Sequence, residues 1–92
     1  AFVCLFLEAL ADGGVACGLP RSTAMELASQ MLVGAARLQQ ESGAHPGALK
    51  DAVCSPGGTT IQGVRALEES GFRAAAMNAV ITAYEKTAAL KQ

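Results

Sequence analysis

The chain begins with a segment in which almost every position is apolar. From residue 1 to about residue 17, only Glu8 and Asp12, four residues apart, mark a polar stripe. A helix with apolar residues on nearly all sides is usually a buried one. Gly18 can take the left-handed conformation that ends a helix, and Pro20 suits the first turn of the next one. The pattern therefore predicts a buried helix that ends just before Gly18.

A second, longer segment runs from residue 20 to about residue 41 and carries two overlapping apolar stripes. Their members recur every three or four residues, which is the spacing of one helix face. The apolar face is therefore wide, and we expect a long helix packed on two sides. Ser42-Gly43-Ala44 ends this helix. The two stripes are Met25-Ala28-Met31-Leu32-Ala35 and Leu27-Met31-Leu38.

The remainder of the chain predicts three further helices. His45-Pro46 opens a short helical segment that extends to Val53, with proline at the favoured first-turn position. A glycine-rich stretch then leads into a helix over residues 61–69, whose apolar residues repeat every three positions. Ser70-Gly71 breaks the chain, and an alanine-rich helix follows from residue 72 to about Lys91. The residues of this last helix that we expect to face a partner are Phe72, Ala76, Ala79, Val80, Ala83, Thr87 and Leu90.

The predicted fold class is all-α, because no segment alternates between apolar and polar residues as a strand does. Hydrophobic residues make up 51% of the 92 residues and charged residues only 16%, which is apolar for so small a chain. We therefore expect a single domain over residues 1–92, a helical bundle that shares one core with a second copy as a dimer. A compact monomeric bundle with an ordinary core is the alternative.

Charge and hydropathy argue against nucleic acid and membranes as partners. The net charge is −1, the basic residues are scattered and tryptophan is absent, so no basic groove with stacking aromatics is indicated. The longest uncharged stretches, such as residues 52–64 and 74–84, are shorter than the roughly 20 residues that span a bilayer. We expect a soluble protein, cytoplasmic in location, with mitochondria as the alternative compartment.

The three cysteines, Cys4, Cys17 and Cys54, are widely spaced and lack a His/Cys pair at metal-ligand spacing. They are expected to be free thiols in a reducing compartment, and no metal site is predicted.

The stretch with the clearest chemical potential is Ser55-Pro56-Gly57-Gly58-Thr59-Thr60, which directly precedes a predicted helix. Glycines at a helix start leave backbone N–H groups open, and the helix dipole makes them attractive to an anion. The stretch lacks the lysine of a phosphate-binding loop, and no strand precedes it as a dinucleotide-binding site requires. A small carboxylate is therefore the best-suited ligand. Considered alone, a Pro-Gly-Gly sequence before a helix is more often only a turn.

The run from Ser55 to Glu68 closely resembles the signature of pyrroline-5-carboxylate reductases. The resemblance extends along the chain through Glu8-Ala9-Leu10-Ala11-Asp12-Gly13-Gly14-Val15, Gly18-Leu19-Pro20, His45-Pro46 and Gly71-Phe72-Arg73-Ala74. It implies the C-terminal dimerisation domain of an enzyme that reduces 1-pyrroline-5-carboxylate to L-proline in proline biosynthesis. It also implies NADPH or NADH as the cofactor, bound mainly by an N-terminal Rossmann domain. The helical domain would interlock with a second copy to form a homodimer, which in many members assembles further into a decamer. The 92-residue fragment alone is expected to be inactive.

The resemblance also implies roles for individual residues. The substrate carboxylate would be held by the Ser55 side chain and the backbone of Gly57, Gly58, Thr59 and Thr60. The Thr60 hydroxyl would reach the ring nitrogen and act as an orienting group or proton relay. A non-catalytic helical dimerisation module that has kept the fold is the alternative function.

Two other residues are assigned structural roles. His45, the only histidine, directly precedes a proline at a helix start, where a capping or turn role is usual. Cys54 lies beside the motif but has no cationic neighbour in sequence that would activate its thiol, so we interpret it as a packing residue.

Overall fold

The computed structural model describes residues 1–90, and within that range the chain folds entirely into α-helices joined by turns. This confirms the all-α prediction, and the helix ends lie within one or two residues of those predicted. Lys91, the expected end of the last helix, lies outside the described residues. The helices are α1 (Phe2–Ala16), α2 (Arg21–Ser42), α3 (Pro46–Ala52), α4 (Thr59–Glu69) and α5 (Phe72–Leu90).

The turn between α1 and α2 is built on Gly18, which has a φ of +106°. The Leu19 N–H donates to the Gly14 carbonyl at 3.0 Å, and the Gly18 N–H donates to the Val15 carbonyl at 2.9 Å. This pair of bonds is the Schellman arrangement, in which a residue with positive φ satisfies the last carbonyls of a helix. The predicted role of Gly18 as the helix stop is confirmed.

The turn between α2 and α3 combines a second glycine cap with a side-chain cap. Gly43 ends α2 in the left-handed conformation and donates its N–H to the Gln39 carbonyl. His45 then precedes α3 and accepts a hydrogen bond at Nδ1 from the Gly47 N–H at 2.9 Å. The capping role predicted for His45 is therefore confirmed.

The described residues form two compact units, which divide between Leu49 and Lys50, and each is described by itself. The prediction of a single domain stays a prediction. In the first unit α1 packs on α2 through three buried alanines, Ala11, Ala24 and Ala28. A Cβ added to Gly14 would lie 3.1 Å from the Ala24 Cβ. Small side chains at the contact therefore let the two helices approach closely.

In the second unit α5 follows α4 after a turn at Gly71, where φ is +76°. Glu68 near the end of α4 accepts a 2.9 Å hydrogen bond from the Arg73 Nε at the start of α5. No described residue of α4 or α5 is fully buried, although Ile61 and Val64 are half-buried. The exposed apolar side chains of both helices, such as Leu67 and Val80, are therefore available to a partner.

The buried hydrophobic core of the described residues consists of only the three alanines of the first unit, whereas many large apolar side chains are exposed. An ordinary monomeric core, the alternative considered from the sequence, does not fit this distribution. The exposed apolar side chains include Phe2, Val3, Leu5, Leu27, Met31, Leu38, Met77, Val80, Ile81 and Tyr84.

None of the described helices combines the length and the apolar character needed to cross a bilayer.

Candidate functional site

The loop before α4 is a tight turn closed by its own backbone. The Gly58 N–H donates to the Ser55 carbonyl at 3.0 Å. Pro56 and Gly57 occupy the two central positions, and Gly57 has a φ of +69°. Proline followed by a residue with positive φ is the signature of a type II turn, which favours glycine at the second central position. The turn therefore favours the Pro56-Gly57 pair.

The start of α4 is open to a ligand. Gly58 is the N-cap residue in an extended conformation, and no side chain caps the helix. The first backbone N–H groups of a helix have no partner within it, so those of Thr59, Thr60 and Ile61 are available. Thr59 and Thr60 are exposed, whereas Ile61 is half-buried. The helix dipole adds positive potential at this end, which favours an anion.

The Ser55 side chain lies over Gly58. A Cβ added to Gly58 would overlap the Ser55 Oγ, and it would also lie 3.2 Å from the Ser55 carbonyl oxygen. The missing side chain at Gly58 therefore leaves room for the Ser55 hydroxyl beside the helix start. The sequence explains Gly58 by the backbone N–H groups that glycines at a helix start leave open to an anion. The structure adds a second reason, which is the close approach of Ser55.

All the residues predicted to bind substrate lie within this one turn and the first turn of α4. Ser55, Gly57, Thr59 and Thr60 are exposed, and Gly58 is half-exposed. Their roles in binding and catalysis stay predictions, because the structure shows their arrangement but no ligand. The Ile61 N–H is an addition that sequence reasoning missed. Its position as the third residue of a helix capped by Gly58 is the signal that identifies it.

The stretch around the site carries no charged side chain between Asp51 and Arg65. Asp51 forms an ion pair with Lys50 at 3.2 Å, and the Arg65 Nε donates to Glu69 at 2.9 Å. Both charges are therefore already matched. Within residues 52–64, an anion would be attracted by backbone N–H groups and hydroxyls, a set that suits one small carboxylate.

The described residues outside this site show no competing chemistry. The three cysteines are free thiols as predicted, and Cys54 is half-buried, which agrees with its role in packing. The described residues contain no group of three or more His, Cys, Asp or Glu side chains that could hold a metal ion. Sequence reasoning did not predict the ion pair between Asp12 and Arg21, which lies at the turn between α1 and α2.

Comparison with known proteins gives one consistent family. Residues 1–90 match the family described as pyrroline-5-carboxylate reductase dimerisation. The pyrroline-5-carboxylate reductase of Arabidopsis thaliana is 56% identical over 92 residues, which is all of this chain and 33% of that protein. The Escherichia coli enzyme of the same name is 52% identical over 92 residues, again all of this chain and 34% of that protein.

Solved structures show the same likeness. The pyrroline carboxylate reductase of Plasmodium falciparum, solved with NADP bound, superposes with a TM-score of 0.89 at 40% identity, over 92% of this chain and 32% of that one. The 1-pyrroline-5-carboxylate reductase of Streptococcus pyogenes gives a TM-score of 0.82 at 41% identity, over 85% of this chain and 30% of that one. The chain thus spans about a third of the length of the curated relatives it matches.

Proposed function

Given that the chain belongs to the pyrroline-5-carboxylate reductase dimerisation family, we propose that it forms the dimerisation and substrate-binding part of an NAD(P)H-dependent pyrroline-5-carboxylate reductase. The whole enzyme would reduce the C=N bond of 1-pyrroline-5-carboxylate to give L-proline. The observation that carries this proposal is the uncapped start of α4, which lies within the Ser55–Thr60 motif of a chain that matches the family from residue 1 to residue 90.

The substrate carboxylate would bind at the start of α4. The N–H groups of Thr59 and Thr60 are available there, and the Ser55 hydroxyl lies beside them over Gly58. Gly57 holds the turn that places Ser55 in this position. Hydrogen bonds to a charged acceptor contribute about 1.5–3 kcal/mol each, so two or three of them are enough to orient a small ring.

The Thr60 hydroxyl would contact the ring nitrogen of the substrate. An imine carbon is more electrophilic when its nitrogen is protonated, so a hydroxyl that positions this nitrogen and its proton assists the reduction. No acidic side chain lies in the first turn of α4, so the proposed role of Thr60 is orientation or proton relay, without a tuned general acid.

NADPH or NADH, when bound, supplies the hydride. The residues of this chain do not fit a dinucleotide, because the glycines of the loop follow the helix α3 where a dinucleotide-binding site has a strand. We therefore assign cofactor binding to the remainder of the full-length protein. The 92 residues alone are expected to have no reductase activity.

The proposed assembly is a homodimer. Its support is the scarcity of buried side chains in the single chain, where the large apolar residues of α2 and α5 stay exposed. Burial of such surface contributes about 25 cal/mol per Å², so a second copy that covers it stabilises both chains. Further assembly of dimers into a decamer, and a cytoplasmic location, are additional parts of the proposal.

The test uses the full-length protein that contains this chain, with 1-pyrroline-5-carboxylate as substrate and NADPH or NADH as cofactor. Oxidation of either cofactor, dependent on the substrate and accompanied by proline formation, is the expected result. A folded, dimeric full-length protein without turnover would contradict the proposal. That outcome would instead support the non-catalytic dimerisation module, which needs the fold but no reaction.

A further inference from the structure

An ion pair joins the helix that carries the proposed substrate site to the helix that follows it. The start of α4 lies beside the Ser55 hydroxyl and has no side-chain cap. The last turn of α4 contains Glu68, whose two carboxylate oxygens accept hydrogen bonds from the Arg73 Nε at 2.9 Å and 3.1 Å. Arg73 is the second residue of α5. The site helix is therefore bonded to α5 at the end opposite the site.

The packing between α4 and α5 is light. Neither helix has a fully buried residue, and Ile61 and Val64 are the half-buried residues of α4. The backbone turn is closed by the Gly71 N–H, which donates to the Glu68 carbonyl at 3.0 Å. Interdigitated side chains usually fix the angle between two helices, and here they are sparse. The contact between Glu68 and Arg73 spans the turn and therefore restricts this angle.

The two charges stand at the unfavourable ends of their helices. Glu68 lies in the last turn of α4, where the helix dipole favours a cation, and Arg73 lies in the first turn of α5, where it favours an anion. Each helix by itself would be more stable with the opposite charge. The contact between the two side chains supplies a reason for the arrangement, because charge-assisted hydrogen bonds between them offset the unfavourable dipole interactions.

The length of α4 makes the position of its start sensitive to the angle at its end. The helix has 11 residues. At the usual rise it is about 16 Å long, so a rotation of about 4° at its last turn moves its start by about 1 Å. N–H···O distances in protein hydrogen bonds vary by only about 0.5 Å. A change of a few degrees would therefore misplace the N–H groups that are proposed to hold the substrate carboxylate.

We propose that Glu68 and Arg73 are positioning residues for the reductase reaction. Their ion pair fixes the angle between α4 and α5, and so it holds the start of α4 where the substrate carboxylate binds. This inference rests on the proposed function and adds two residues at the far end of the site helix. Without the pair, α4 would occupy several angles, of which one binds the substrate. The apparent affinity then falls in proportion to the fraction in that arrangement, whereas the bound complex reacts as before.

The test is steady-state kinetics of the full-length enzyme. An exposed ion pair favours one arrangement by about fivefold at most, so Arg73→Ala is expected to raise the KM for 1-pyrroline-5-carboxylate about two- to fivefold, with kcat unchanged. Arg65→Ala is the matched control. The Arg65 Nε donates to Glu69 at 2.9 Å within α4, and the Arg65 side chain is 69% exposed against 68% for Arg73. Loss of this second pair leaves the α4–α5 contact intact, so KM should stay that of the wild type.

Exchange of the two charges tests whether the pair itself is responsible. Glu68→Arg places two cations together and should raise KM at least as much as Arg73→Ala does. Glu68→Arg combined with Arg73→Glu forms the pair again, and KM should return to within about twofold of the wild type. A role in stability alone gives a different result, because a smaller folded fraction lowers the apparent kcat and leaves KM unchanged.

The possible failures are distinguishable. A folded wild-type enzyme without turnover would contradict the proposed function and, with it, the positioning role. An active wild type would isolate the positioning role, which three results would overturn. These are an unchanged KM in Arg73→Ala, an equal rise of KM in Arg65→Ala, and a KM in the charge-exchanged variant as high as that of Glu68→Arg.

Discussion

The Ser55 carbonyl accepts a 3.0 Å hydrogen bond from the Gly58 N–H, and the Ser55 hydroxyl lies where a side chain on Gly58 would otherwise be. The two residues therefore depend on each other. The backbone bond closes the turn, and the absence of a Cβ lets the hydroxyl stay next to the start of α4. In the proposed enzyme this contact places a hydrogen-bond donor beside the N–H groups that hold the carboxylate.

Gly58→Ala should weaken substrate binding without unfolding the loop. The Gly58 φ of −77° suits alanine, so the cost comes from Ser55, whose hydroxyl must move away and whose carbonyl oxygen must shift slightly from the added Cβ. Loss of one hydrogen bond to a charged carboxylate predicts a rise in KM for 1-pyrroline-5-carboxylate of roughly 10- to 100-fold. Steady-state kinetics of the full-length enzyme measure this effect.

A double-mutant cycle with Ser55→Ala separates the hydroxyl from other effects of the methyl group. Once the Ser55 hydroxyl is gone, adding Gly58→Ala should change KM much less than it does in the wild type. Equal effects of Gly58→Ala in both backgrounds would show that the contact between Ser55 and Gly58 is not the cause.

Much of the fold is predictable because helix boundaries depend on local chemistry. Gly18 and Gly43 have positive φ and end α1 and α2, and His45 caps α3 through its side chain. Each of these signals acts within five residues of the helix end, so a single sequence contains it. The apolar periodicity of α2 likewise predicts two apolar sides.

Other features depend on contacts that local patterns do not specify. The sequence indicates that Leu27 and Ala28 are both apolar, but only packing against α1 decides that Ala28 is buried and Leu27 exposed. The ion pair between Asp12 and Arg21 forms because the Gly18 turn brings the two helix ends together. The position of the Ser55 hydroxyl over Gly58 similarly follows from the geometry of the turn.

His45→Ala should destabilise the protein without affecting catalysis. The substitution removes the acceptor of the Gly47 N–H, and loss of an N-cap costs about 1 kcal/mol. His45→Asn restores a cap acceptor and is the matched control. Urea unfolding at a fixed protein concentration should show the loss for alanine and a smaller one for asparagine. Equal stability of His45→Ala and the wild type would contradict the capping role.

Gly18→Ala should destabilise the turn between α1 and α2. Its φ of +106° is unfavourable for any residue with a Cβ, and the expected loss in the free energy of unfolding is about 1–2 kcal/mol. Cys17→Ala, at the neighbouring exposed position with a φ of −88°, should leave stability almost unchanged. Thermal unfolding of both variants at one protein concentration gives the comparison. A Gly18→Ala protein as stable as Cys17→Ala would show that the turn tolerates a side chain.

The most direct test of the central claim is the turnover of Thr60→Ala in the full-length enzyme, measured as NADPH and NADH oxidation with saturating 1-pyrroline-5-carboxylate. Thr60→Ser keeps the hydroxyl and is the control. The account predicts a fall in kcat on the order of 10- to 100-fold for alanine, from the loss of one hydrogen bond in the transition state, and a much smaller fall for serine. A Thr60→Ala enzyme that turns over as fast as the wild type would contradict the proposed role of the α4 terminus in catalysis.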